Sequence, residues 1–178
     1  MKKLSLLFIT GIMLVFVSCS KDGSEAVSQQ EFNEDSHLKI GQESMTFPVK
    51  LSGAQEVPPN DSKAVGQAIF HLKNDGTELH YTLTVANIKN ITQCHIHLAP
   101  AGANGPVTVW LYPDSPPAQL IPGPFNGVLA KGIITASDLV GPLVGMPLSD
   151  LMDYIISSNA YVNLHTSQFP GGEIRGQF

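Results

Sequence analysis

Phe70-His71-Leu72-Lys73-Asn74-Asp75-Gly76-Thr77-Glu78-Leu79-His80-Tyr81-Thr82-Leu83-Thr84-Val85 is the stretch that decides the fold. Phe70 and Leu72 alternate with His71 and Lys73, and Leu79, Tyr81, Leu83 and Val85 alternate with His80, Thr82 and Thr84. Alternation at a period of two is the mark of a half-buried strand. Asp-Gly between two such runs is the strongest short-range hairpin signal. With Asp75-Gly76 as a two-residue turn, Leu72 lies opposite Leu79 and Lys73 opposite Glu78, so the register sets apolar on apolar and pairs opposite charges. His71 and His80 then face each other across the same ladder.

Outward from this hairpin the pattern repeats. Phe47, Val49 and Leu51 alternate with Pro48, Lys50 and Ser52 up to a turn at Gly53. A second hairpin is expected with arms Thr92–Leu98 and Val107–Tyr112 around a loop from Ala99 to Pro106. Asp114 to Phe125 carries four prolines and reads as a loop, since proline cannot serve a central strand. Gly127–Ile134 reads as a further strand. Thr135 and Ser137 are placed to cap a turn at Asp138-Leu139. Leu148, Leu151, Met152, Ile155 and Ile156 recur at helical spacing behind Pro147, a stripe that reads as packing against the sheet. A last hairpin runs Ala160–Thr166, loop Ser167–Gly172, Glu173–Phe178. Short strands between Gly- and Pro-rich turns predict an all-β antiparallel domain, a sandwich or barrel, with one or two short helices.

The N-terminus speaks to compartment. Lys2 and Lys3 precede an apolar run from Leu4 to Val17, closed by Phe16-Val17-Ser18-Cys19. A charged start, a short apolar run and a small residue at the cut describe a secretory signal, too short to span a membrane. With Cys directly after Ser18, it resembles a lipoprotein signal over residues 1–18, cut so that Cys19 carries lipid, although Phe16 stands where such signals usually carry Leu. Two or three acyl chains, at about 0.8 kcal/mol per buried methylene, anchor a protein stably. Ser20-Lys21-Asp22-Gly23-Ser24-Glu25 resembles the surface-export signals of some bacterial lipoproteins. Residues 19–44 are rich in Ser, Gln, Glu, Asp and Asn, and read as a flexible tether ahead of one domain over 45–178. The expected location is the cell envelope, anchored by lipid in the outer membrane and facing outward. The net charge of −5 and the lack of a basic cluster exclude nucleic acid as the expected partner. Of the two cysteines, one is assigned to lipid, which leaves Cys94 without an intramolecular disulfide.

His95 and His97 stand two apart on an expected strand, so they point to one face about 6.5–7 Å apart along the backbone. His165 lies on the polar parity of the terminal hairpin with Asn163, Glu173 and Arg175. Three neutral imidazoles with an open fourth position suit zinc or copper. The alternative is that these are solvent-facing strand residues of an antiparallel sheet. No Ser or Thr sits in a nucleophile motif, and no Gly-rich phosphate loop opens a helix.

Five blocks taken in order carry a resemblance. They are Leu51-Ser52-Gly53-Ala54-Gln55-Glu56-Val57-Pro58-Pro59; His95-Ile96-His97; Gly102-Ala103-Asn104-Gly105-Pro106-Val107; Tyr161-Val162-Asn163-Leu164-His165-Thr166; and Pro170-Gly171-Gly172-Glu173-Ile174-Arg175-Gly176-Gln177. Over about Phe47 to Phe178 the chain resembles the CHRD domain first named from chordin. The resemblance implies an immunoglobulin-like or superoxide-dismutase-like β-sandwich, and carries over Glu56, His95, His97, His165, Glu173 and Arg175. It places Cys94 where the family has a small residue; burial as a small hydrophobe accounts for that thiol. Glu173 and Arg175 read as an ion pair or as partners that orient an imidazole, and Glu56 as structural or supporting. The His pair before a Gly-rich loop also resembles the copper strand of copper–zinc superoxide dismutases. Between His97 and His165 there is no histidine, so the bridging and zinc ligands of that enzyme have no counterparts. The leading expectation is a lipid-anchored binding module with one copper or zinc ion on His95, His97 and His165. Its rivals are a metal-free module for an extracellular or periplasmic protein partner and, behind that, a dismutase-like redox enzyme.

Overall fold

A computed structural model of the chain describes residues 45–178 other than Asn74. The signal segment 1–18, Cys19 and the tether 19–44 lie outside the described residues. Seven strands form: β1 (Thr46–Ser52), β2 (Val65–Leu72), β3 (Leu79–Leu98), β4 (Val107–Tyr112), β5 (Ile121–Ile134), β6 (Ala160–Thr166) and β7 (Ile174–Gln177), with one helix, α1 (Leu148–Ile156).

The deciding hairpin forms in the expected register. Leu72 pairs with Leu79, His71 with His80 and Phe70 with Tyr81, and the Lys73 amide donates to the Glu78 carbonyl at 2.9 Å. Phe70, Leu79 and Leu83 are fully buried on its inner face. β1 pairs along the whole of β2, which buries Val49 and Leu51. Thr135 closes a capping box with Asp138 on the expected turn. α1 buries Leu148, Leu151, Met152 and Ile155, whereas Ile156 turns outward and is 57% exposed.

Two expectations change. The arms read as Leu79–Val85 and Thr92–Leu98 are one strand of twenty residues. Asn87 and Asn90 stand between them at φ 57° and 53°, in the left-handed region that Asn tolerates better than most residues. They let β3 turn without ending, and its ladder with β5 slips register there. Strand β5 also begins at Ile121, inside the stretch expected to be loop. Pro122 and Pro124 are accommodated because β5 is bonded to β3 alone, so its other side needs no amide donor.

The chain is all-β and antiparallel, and its pairings form a single sheet that closes like a barrel. In the order β2-β1-β7-β6-β3-β4, β3 returns to pair with β2 as well, which completes a ring β1-β2-β3-β6-β7. The pairings run through one sheet and do not separate the two layers of the expected sandwich: β3 serves β2 and β5 as far as Ile91, and β4 and β6 along the rest. Ile91, Cys94, Ile96, Val162, Leu164 and Ile174 face the core with the residues above. Every residue of β6 is buried. One of its faces meets the core. The other, carrying Tyr161, Asn163 and His165, is covered by loops.

Candidate metal centre

The ladder between β3 and β6 sets the positions. His95 pairs with Asn163, His97 with Tyr161 and Gln93 with His165. Directly paired residues share a face, so His95, His97, Asn163, Tyr161 and His165 all project from the same side, away from Ile96 and Leu164. Against β4 the ladder slips between Cys94 and His95 and again between Ile96 and His97, which sets Trp110 opposite His95. The indole meets His95 edge-on with ring centres 4.2 Å apart. Bulges re-aim side chains in this way next to functional sites.

The three imidazoles converge. Their ring centres are 5.5 Å (His95–His97), 5.2 Å (His95–His165) and 6.0 Å (His97–His165) apart, and one nitrogen from each lies within 4.8 Å of the others. Among the described residues this is the one cluster of His, Cys, Asp or Glu so arranged. Two imidazole nitrogens on one tetrahedral zinc stand about 3.4 Å apart.

The rings are held from behind by main-chain carbonyls. His97 Nδ1 donates to the Gly105 carbonyl at 2.9 Å, and His165 Nδ1 to the Pro170 carbonyl at 3.0 Å. A carbonyl only accepts, so each Nδ1 carries the proton and each Nε2 presents its lone pair. This is how proteins orient histidine ligands. The Gly105 peptide is itself clamped, since its N–H donates to the Tyr161 hydroxyl at 3.1 Å. The Tyr161 ring stacks on His97 at 4.9 Å and 12°, with the Arg175 guanidinium 3.5 Å from its other face.

Among the described residues, every buried side-chain polar atom without a hydrogen-bond partner belongs to this cluster: Glu56 Oε1, both nitrogens of His95, His97 Nε2, Asn163 Oδ1 and His165 Nε2. Native proteins keep such atoms few, because each costs about 1–3 kcal/mol. Their concentration here, with lone pairs converging, fits a bound cation. The rings are also neutral. Burial, then repulsion from His165 and His97, takes His95 down to about 3. Burial takes His97 to about 4 against the opposing pull of the Gly105 carbonyl, and lowers His165 likewise against Pro170. Protons therefore do not compete for these nitrogens near neutral pH.

The other residues picked from the sequence take distinct places. Glu173 is buried and accepts from Ser62 Oγ at 2.7 Å and Thr166 Oγ1 at 2.6 Å, which ties the 60–64 segment to the terminal hairpin. Arg175 donates to the carbonyls of Pro100 and Ala103 and to Gln177 Oε1, so it fastens the 99–106 loop over the centre. Among the described residues the two form no ion pair and neither bonds an imidazole. Glu56 is 4% exposed and accepts from Asn163 Nδ2 at 3.2 Å. Its carboxyl is raised, chiefly by burial and against the pull of Asn163, Val57 and Arg175. Cys94 faces the core, fully buried, and burial pushes its thiol up. His71 and His80 do face each other, but each has its own partner: Thr46 Oγ1 at 2.9 Å and Glu78 Oε2 at 2.7 Å. Trp110, Tyr161 and the carbonyls of Gly105 and Pro170 were not singled out from the sequence. The aromatics lay on ordinary strand parity, and a carbonyl has no residue type to read.

Comparison with curated proteins and with solved structures finds no match. Residues 47–178 do match the family model of the CHRD domain, a span that takes in the three histidines, the loops that orient them and the ring of strands; the chain belongs to the CHRD-domain family.

Proposed function

We propose that this protein is a lipid-anchored, outward-facing binding module of the cell envelope whose CHRD domain holds one copper or zinc ion through His95, His97 and His165. The observation that carries the metal reading is the convergence of three buried imidazoles, two with Nδ1 tied to carbonyls and Nε2 left without a partner. Neutral nitrogen donors suit both metals, and three protein ligands leave a coordination position open. The anchor rests on Ser18-Cys19 behind the apolar run from Leu4 to Val17.

The full chain, purified without a polyhistidine tag, should carry close to one equivalent of copper or zinc by elemental analysis. The triple variant His95→Ala/His97→Ala/His165→Ala should carry none. Trp110 is the only tryptophan, so copper uptake should also quench the intrinsic fluorescence. A parent that stays metal-free after challenge with both ions sinks the reading. For the anchor, Cys19→Ser should abolish labelling by a radioactive fatty acid and release the protein from membranes.

The second reading is a metal-free module for a protein partner. It is favoured by β5, which is bonded on one side only and exposes Val128 and Ile133 at 55% and 50%. On that reading the three histidines matter for stability alone, and their replacement leaves partner capture intact once folding is preserved.

A further inference from the structure

We propose that Glu56 and Asn163 select what binds beside the histidines, by accepting two hydrogen bonds from a small, neutral, protic ligand such as water or hydroxylamine and turning anions away. This rests on the reading that the trio holds a metal ion with an open position. Asn163 pairs directly with His95 and projects from the same face. Its amide nitrogen donates to Glu56 Oε2, which fixes the amide and leaves Asn163 Oδ1 and Glu56 Oε1 as two acceptors without a donor. Both residues are more than nine-tenths buried.

Gly172 shows that the two oxygens share one small space. A Cβ there would collide with both Asn163 Oδ1 and Glu56 Oε1, and its φ of +130° suits glycine alone. Gly172 belongs to the loop whose Pro170 carbonyl holds His165, so one turn contacts both the acceptor pair and His165. Arg175 does not neutralise the pair by contact, because its donors go to Pro100, Ala103, Asn104 and Gln177. A surface hollow of about 300 Å³ between the 56–60 and 168–172 segments has Glu56, Pro170 and Gly172 in its lining, so it lies against the outer side of this turn. Two lone-pair oxygens reward a ligand with O–H or N–H groups and repel one that offers only negative charge.

The test uses the full chain loaded with cobalt(II) under anaerobic conditions, with its visible spectrum followed during titration with hydroxylamine and, separately, azide. Glu56→Gln replaces one acceptor by an N–H donor and removes the carboxylate. It should tighten azide and weaken hydroxylamine, each by roughly tenfold, with cobalt content unchanged. Asn163→Leu removes the other acceptor, leaves the carboxylate in place, and should weaken hydroxylamine alone. It decides the matter if Glu56→Gln does not fold. Cobalt-loaded variants whose two affinities equal the parent's overturn the proposal while the metal reading stands. A parent that takes up neither cobalt nor copper nor zinc removes both.

Discussion

At the scale of single residues, the centre depends on imidazoles that stay neutral because they are buried. Unfolded histidines titrate near 6.5, whereas folded His95 and His97 lie at about 3 and about 4. Between these values the unfolded chain holds more protons than the folded one, so stability falls as the pH falls. The contribution is complete above pH 6.5 and is lost on the way down to pH 3–4. For the metal-free protein, urea unfolding should show a loss on the order of 2 kcal/mol for each such histidine between pH 6.5 and 5. The triple alanine variant should show a much flatter profile. Gly105 is the other point of sensitivity. A Cβ there would run into the Leu98 carbonyl, and the same residue bonds both His97, through its carbonyl, and Tyr161, through its N–H. Gly105→Ala should cost about 1–3 kcal/mol through that clash and weaken metal binding in a competition titration, although it removes no ligand. The trio itself was legible, because a spacing of two on an alternating strand allows one face only. Its orientation was not, because it depends on main-chain carbonyls brought by loops. Glu173 shows the same limit: its face could be read, but its bonds to Ser62 and Thr166 could not.

At the scale of elements, short-range chemistry was the readable part. The hairpin register around Asp75-Gly76, Thr135 with Asp138, and the stripe on α1 each announce themselves within a few residues, and each forms. Where a neighbour in space decides, the reading stops short. The length of β3 depends on Asn87 and Asn90 adopting positive φ, which only the surrounding ladders enforce. Asn90 is held further by its Oδ1, which accepts from the Gly123 amide at 2.8 Å, and by its carbonyl, which accepts from Ser167. Asn90→Ala should therefore cost about 1–2 kcal/mol in equilibrium unfolding, from the left-handed backbone and the lost bond together. Asn90→Gly, which relieves the backbone alone, should recover part of that. Equal stability of the two variants would assign the whole cost to the hydrogen bond.

At the scale of the whole molecule, the ring is what local patterns leave undetermined. Alternation says that a strand has an inner face, and it does not say which strands meet. β1 and β7 join through Ser52 and Arg175, at opposite ends of the domain. This long-range pairing separates a closed, barrel-like sheet from the sandwich expected. The seam is tight: a Cβ on Gly176 would stand 2.5 Å from the Lys50 carbonyl oxygen and 2.6 Å from Val49 Cγ1. Gly176→Val should prevent closure, so little folded protein is expected, with near-ultraviolet circular dichroism as the readout. A well-folded Gly176→Val chain would mean that β7 is dispensable to the ring.

Because β7 follows the other six described strands in the chain, the ring also has a clock. A growing chain presents His95 and His97 long before His165, and Arg175 and Gln177, which fasten the 99–106 loop, come later still. Until they arrive, the two earlier imidazoles have neither their third companion nor their cover. The trio and its cover come into being only when the terminal hairpin has joined the sheet and the seam has closed, so a metal held there would be drawn from the surroundings in which the domain finishes folding.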